Sequence, residues 1–388
     1  MTFTDYFRST QIFIFFVLLI LLPLHDIDGV VNVSMALSLL ALIPDYRNLY
    51  SIRYILGAWG LFAIWYLLSS LWNLFPEYTY SGLRKEVLYS VICLMVGFTA
   101  ALHLKKVNTA LCAVLVSLTL LSLATLARGG VSWLSFVEKY YPSVGDGSTS
   151  LVFFFSFAMA LFFSKKSYSA IIAMFIVLTS LALAIFYENR MCFVSFASVI
   201  AACFLYTSKG LSTQVKTLGL FALLAIVLAI VTFSLSLKST TESDYIANAV
   251  STVKQDVRLS MWDFYFDKGM EKPIAGYGSG YHTLRDSFSD DFPETFNILT
   301  KDHAHNVFLN KWLQMGLIGL ILFLAIYATA LHKVLEGEFT EREKYLKLLL
   351  LLIFVGFFSK SMTDDFFIRN NLLLLWLITG FILGRKRK

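Results

Sequence analysis

The sequence predicts an all-α integral membrane protein of about twelve transmembrane helices with one long loop on the far side of the membrane. Three observations carry this. First, the 388 residues are 57% hydrophobic and only 15% charged, whereas a water-soluble domain is near half apolar and about a quarter charged. Second, apolar runs of bilayer-spanning length, about 20 residues, recur along the chain. Third, all but one of the connections between them are short, so no second globular domain of about 100 residues is left over.

Taken in order, apolar runs bounded by charged or turn residues place spans at 10–24, 29–44, 53–73, 87–103, 109–127, 149–164, 168–187, 191–207, 217–237, 306–331, 346–360 and 371–384. The first run resembles a signal peptide, but no small-residue cleavage site follows before His25-Asp26, so it reads as a retained span. The second is short enough to be re-entrant. Cys93, Cys112, Cys192 and Cys203 all lie inside apolar runs with no CxxC pair. They indicate neither a disulfide framework nor a thiolate metal site.

Orientation follows from where Lys and Arg collect, because short cytoplasmic loops retain positive charge. With both termini on one side, that side holds 17 of the 32 basic residues, including Arg8, Arg47, Arg53, Lys105, Lys106, Lys333 and the tail from Arg385, against six of the 26 acids. Both termini are therefore expected in the cytoplasm. The net charge of +6 is a topology signal, and nucleic-acid binding, which needs a basic face on a folded domain, is not indicated.

Three segments result: 1–237 with the first nine helices, 238–305 as a long far-side loop, and 306–388 with the last three, together one functional unit. Loops this long are usually functional or disordered. This one carries Arg258-Leu259-Ser260-Met261-Trp262, the glycine-rich run Pro273 to Tyr281, and Lys301-Asp302-His303-Ala304-His305-Asn306. Its aromatic content predicts one or two short helices against the membrane face. The glycines fit a flexible turn, or a nest of backbone N–H groups for an anion.

Ionisable groups at membrane depth are functional candidates. Arg190 ends the seventh run with the next one starting at once, which fits either snorkelling to headgroups and pairing with Glu188 or a role in a site. His305 opens the tenth span, two residues after His303; the pair fits interfacial polarity as well as chemistry. No HExxH or carboxylate cluster accompanies it, so a metal is not indicated. After the eleventh span, Asp364, Asp365 and Arg369 could simply pair and cap the next helix, or orient a sugar. In combination, Arg190 and Arg258 suit phosphate oxygens as forked donors, and His305 suits taking a proton from a hydroxyl. That chemistry fits group transfer from a lipid-linked phosphate.

These residues resemble a known family. His305-Asn306, nine residues, then Gly316-Leu317-Ile318-Gly319 matches the pattern H[NSQ]-x9-G-x-x-[GTY] of O-antigen ligases. HAHN…GLIGL is similar to the broader ligase and polymerase superfamily of bacterial surface polysaccharides. Arg258 resembles that family's loop arginine and Arg190 its other arginine, although Thr or Ser more often surrounds the latter position. Asp364-Asp365 with Arg369 resembles the late acidic motif, and Tyr141 to Thr149 resembles a loop of the ligases. The resemblance implies a metal-independent, inverting glycosyltransferase of GT-C-type architecture in the bacterial inner membrane, needing no cofactor. Its partners would be membrane lipids, an undecaprenyl-diphosphate-linked glycan as donor and the lipid A-core as acceptor, with the active site facing the periplasm. His305 would be the base and Arg190 and Arg258 catalytic and diphosphate-binding, with His303, Asn306, Asp365 and Arg369 in substrate binding. Two other readings stay open. A polysaccharide polymerase would use a lipid-linked repeat unit as acceptor; a transporter would need inverted repeats and charged mid-membrane helices, and few charges lie at mid-span.

Overall fold

A computed structural model describes residues 3–164, 168–208, 212, 257–294, 296, 301–363, 365 and 370–386. The described residues are helical with no strand among them, as a chain in lipid must be if each backbone N–H and C=O is to be satisfied within its own segment. The helices are α1 Phe3–Leu21, α2 Asp28–Ala41, α3 Arg53–Leu68, α4 Pro76–Gly82, α5 Tyr89–His103, α6 Val107–Arg128, α7 Val144–Leu161, α8 Ser169–Tyr187, α9 Arg190–Thr207, α10 Val257–Glu271, α11 Thr283–Ser287, α12 Val307–Leu335, α13 Tyr345–Ser361 and α14 Asn370–Gly384. A wide π-helical turn, Leu83–Leu88, joins α4 to α5. Every expected span except the ninth falls on one of these helices; 217–237 lies outside the described residues. Among the described residues, seven stretches are long and apolar enough to cross a membrane, and α2 and α14 are apolar but shorter. Among the described residues, the segment between α9 and α12 contains α10, of 15 residues, and the short α11.

Without a hydrophobic drive in lipid, helices associate by close packing of small residues. The α5–α14 contact shows this: a Cβ on Gly97 would meet Leu377 O at 2.0 Å, and one on Gly380 would meet Leu94 O at 2.0 Å. Trp59, Tyr327 and Trp376 pack ring to ring where α3, α12 and α14 converge, and α13 packs between α7 and α9.

Helix α12 departs from the single straight span expected over 306–331. At Gly316 the backbone takes φ 65° and ψ −172°, breaking the ladder inside the helix. The carbonyls released by the break find new donors. Tyr277 N–H donates to Leu313 O (2.8 Å) and Gly278 N–H to Gln314 O (2.8 Å). The Trp65 indole N–H donates to Met315 O (2.9 Å). In return Leu317 N–H donates to Pro273 O (2.9 Å). The glycine-rich run is thus threaded into the kink rather than left flexible, and its amides at 277 and 278 are spent on protein carbonyls. Ser279 N–H is likewise spent, on Ser69 Oγ at 3.0 Å. These three N–H groups cannot also serve the anion nest that the glycines suggested.

Only glycine fits at the kink: a Cβ on Gly316 would lie 1.9 Å from Ile274 O, at a φ that side chains rarely adopt. Gly316→Ala is expected to destabilise the folded protein by about 2–5 kcal/mol. Thermal unfolding in detergent checks this; an unchanged midpoint would contradict the clasp.

Candidate functional site

The motifs singled out in the sequence gather at one end of the helical bundle, and a chain of side-chain hydrogen bonds fixes them there. Asn306, the residue before α12, donates from Nδ2 to Met362 O at the end of α13 (3.1 Å). Asn370, opening α14, donates to Leu24 O beyond α1 (3.3 Å). Asn371 donates to Asp146 O in the first turn of α7 (3.1 Å) and accepts from Ser150 Oγ (2.8 Å). Cys192, in the first turn of α9, reaches Ser148 O (3.5 Å). Six helix ends are thereby brought to one level. The loop from Tyr141 to Thr149 proves to be the capped start of α7, where Ser143 Oγ accepts from Asp146 N–H (3.2 Å) and Tyr141 stacks on Tyr187.

At the centre of this end lie the two histidines. His305 has φ 48°, a left-handed conformation costly for a side-chain-bearing residue and found most often where function requires it. Asn306 then caps α12, its Oδ1 accepting from Phe308 N–H (3.0 Å) and Leu309 N–H (3.1 Å). Its carboxamide makes the cap and the tie to Met362, so Asn306 fixes the residue next to His305. The His303 and His305 rings lie 4.1 Å apart, with His303 buried and Tyr281 on its other side at 6.1 Å. Between them, Ala304 N–H donates to Asn310 Oδ1 (2.8 Å), and the other end of the Asn310 carboxamide donates to the buried Asp365. Asp365 therefore stands behind the histidine segment. Its neighbours Asp364 and Arg369 lie outside the described residues.

Arg258 is brought to the histidines by its helix. It lies in the first turn of α10, one turn before Trp262, whose indole N–H donates to Ala304 O (2.8 Å). One turn further on, Tyr265 donates to Lys301 O (3.0 Å), so α10 is pinned along the 301–305 segment. Arg190 is the first residue of α9 and is half-buried. It follows a two-residue turn closed by Glu188 in the left-handed region, φ 49°. Ser198 on α9 meets Ser359 on α13 (3.0 Å), which puts Arg190, two turns earlier, at the same end as Met362 and Asn306.

Several groups here escaped the sequence reading. Lys311 extends from α12 to Glu86 in the π-helical turn at 2.7 Å, with side chains 0% and 2% exposed. It also donates to Gln314 Oε1 (3.2 Å), and Gln314 in turn donates to Gly280 O (3.1 Å). By position in the sequence Lys311 falls close to the outer end of its span, and the structure makes it a member of a buried ion pair. Arg84 and Lys85, on the same turn, point the other way. They line a cavity of about 340 Å³ with His25, Asp28, Asp146 and Asn371. The charged triplet Arg84-Lys85-Glu86 directly before an apolar run was the available signal. In the loop, the Arg285 guanidinium hydrogen-bonds Asp286 and holds its carboxyl below the usual range, while Tyr78 donates to the same carboxylate (2.7 Å) and ties α11 to α4. Burial, then the hydrogen bond to Glu271, pushes the Tyr277 phenol up. Among the described residues, no three His, Cys, Asp or Glu side chains gather as a metal site.

The arrangement offers an imidazole pair, an arginine on an adjoining helix and a second arginine at a helix start, where backbone dipoles also favour anions. Comparison with known proteins agrees with the resemblance drawn from the motifs. A family model described as O-antigen ligase matches residues 150–324, the segment that holds Arg190, Arg258, His303, His305 and Gly316. A protein of Rickettsia conorii named "Putative polysaccharide ligase RC0486" is 33% identical over 129 residues, covering 32% of this chain and 29% of that protein. The alignment spans less than a third of that relative's length. The chain is thus similar to polysaccharide ligases of the O-antigen ligase type, on a multi-pass, all-helical membrane fold.

Removing one partner of a buried ion pair leaves an uncompensated charge and costs about 3–5 kcal/mol. Lys311→Met alone is expected to lower stability on that scale. The double variant Lys311→Met/Glu86→Gln should recover most of the loss, as read in a thermal-unfolding double-mutant cycle.

Proposed function

We propose that this protein is an inverting, metal-independent glycosyltransferase that moves a finished glycan from undecaprenyl diphosphate to a sugar of the lipid A-core at the periplasmic face of the inner membrane. The observation that carries the reading is the His303–His305 pair at the start of α12, clasped to the Arg258-bearing helix through Trp262 and Ala304, within the segment that matches the O-antigen ligase family. A twelve-helix, GT-C-type architecture and cytoplasmic termini belong to the same proposal. They are supported by the apolar helices and by the charge asymmetry of the two sides.

In this mechanism the donor diphosphate lies at headgroup level, where charge pairing is stronger than in water. Arg190 and Arg258 hold it and offset the negative charge that builds on the leaving oxygen as the anomeric C–O bond breaks. The acceptor hydroxyl attacks the anomeric carbon from the opposite face. Its proton passes to the His305 imidazole, the new glycosidic bond forms with inversion, and undecaprenyl diphosphate leaves. His303 lies tilted against the base, 4.1 Å from it ring to ring, and limits its rotation, and Asp365, through Asn310, holds the backbone between the two rings. Arg369 and the polar cavity at Arg84 and Lys85 are assigned to binding the glycan.

His305→Asn keeps a residue tolerant of positive φ while removing the base, so transfer should fall about 10²- to 10⁴-fold with expression and thermal stability near wild type. Arg190→Lys and Arg258→Lys should also be poor, because a point charge does not replace a bidentate fork. The assay is a lipopolysaccharide gel with extraction of lipid-linked glycan from a strain lacking the gene. Bare core with long glycan accumulating on the lipid carrier is expected. Core bearing a single repeat would instead indicate the polymerase, and a normal ladder would refute both.

A further inference from the structure

At the end of the bundle opposite His305, the start of α3, the end of α12 and the residues after α14 enclose two adjoining cavities. The larger, about 1010 Å³, runs between α3 and α12 over Ala58, Leu61, Ala325 and Ala328. The smaller, about 390 Å³, is lined by Tyr50, Phe98, Leu102 and Lys386. Arg53, Tyr54 and Lys333 line both, so they form the wall the two lobes share.

Three cations thus converge on one place. Arg53 is pre-set there, its guanidinium 4.1 Å from the Tyr50 ring centre and 4.9 Å from that of Tyr54, and it donates to the Tyr54 hydroxyl at 3.1 Å. Among the described residues, no carboxylate forms an ion pair with Arg53, Lys333 or Lys386. Glu336, which also lines the larger lobe, is engaged by His332 at 3.2 Å. The contrast with the adjacent Arg385 is direct, since that residue is paired with Glu343. Burial first, and then the charge of Lys333, hold the Lys386 ammonium below the ordinary lysine range against the opposing effect of Glu336. Beside this cluster α3 and α12 present Leu61, Ile64, Ile321 and Leu324 outward, each at least 40% exposed, and the groove between them is floored by alanines that leave room for a chain.

Basic pockets between membrane helices, at the end where positive charge collects, suit anionic headgroups. We infer that this two-lobed cavity binds one anionic membrane phospholipid, its phosphate held between Arg53, Lys333 and Lys386 and one acyl chain lying in the α3–α12 groove. The inference is independent of the proposed reaction. It places a lipid at one end of α12, the helix whose other end carries His305, about 40 Å away by helical rise.

The test is native mass spectrometry of the full-length protein released from nanodiscs of phosphatidylcholine with phosphatidylglycerol. Wild type is expected to retain one phosphatidylglycerol, and Arg53→Gln/Lys333→Gln/Lys386→Gln to lose at least tenfold of that adduct. The control Arg8→Gln/Lys105→Gln/Lys106→Gln, which removes the same charge elsewhere at this end, should keep it. Ala325→Leu/Ala328→Leu, which fills the groove but leaves the cations, should also lose the lipid. Equal retention by the first variant, or equal loss by the control, would overturn the site. An adduct of inorganic phosphate that displaces the lipid, with the groove variant unaffected, would overturn the acyl-chain assignment. If the triple variant does not fold, Arg53→Gln alone should still show a several-fold loss, and none would count against the site.

Discussion

The buried ion pair between Lys311 and Glu86 is the constraint on which the rest of the reactive end depends. Two opposite charges with almost no exposed surface are tolerated in a membrane interior only when held together with their remaining hydrogen-bond capacity satisfied. Satisfying it fixes the neighbours. Gln314 bridges Lys311 to Gly280, and Glu86 lies within the wide turn between α4 and α5, a geometry associated with functional positions. The same turn sends Arg84 and Lys85 to the polar cavity on its other side. One interaction therefore sets the start of α12, the path of the glycine-rich run and the placement of two further cations.

The kink at Gly316 does the complementary work. A helix broken at that depth would strand three carbonyls, and unsatisfied backbone groups cost several kcal/mol each in lipid. The long loop supplies two of the missing donors and α3 the third. The loop is in this sense part of the membrane fold. Because it is anchored at the kink and again through Trp262 and Tyr265, α10 delivers Arg258 to the histidine segment as a rigid element. The left-handed backbone at His305 is held by the Asn306 cap on one side and the Ala304–Asn310 contact on the other.

The two ends of α12 are built on opposite electrostatic plans. Around His303 and His305, two carboxamides, an indole and a buried carboxylate position the imidazoles, and the arginines belong to other helices. Around Lys333, cations crowd at an apolar groove, and the carboxylate that also lines it, Glu336, contacts His332 rather than forming an ion pair with them among the described residues. The first plan is the one on which the proposed glycosyl transfer rests; the second is the one on which the proposed lipid site rests.

The amino-acid sequence alone made legible the membrane class and the approximate place of each described helix, and it carried the expectation that Arg190, Arg258 and His305 share one end. These follow from local hydropathy, from the polarity of short loops, and from the parity of spans between motifs, none of which needs a tertiary contact. Only the tertiary structure decided that Asn306 is a cap, that the glycine-rich run fills a break in α12, and that Lys311 is paired in the core. It also decided that Arg84, Lys85, Arg53 and Lys386 line cavities. The reason is physical: a glycine, an asparagine or a lysine reads the same in sequence whether its polar group faces water or a partner up to 346 residues away, and only packing fixes which.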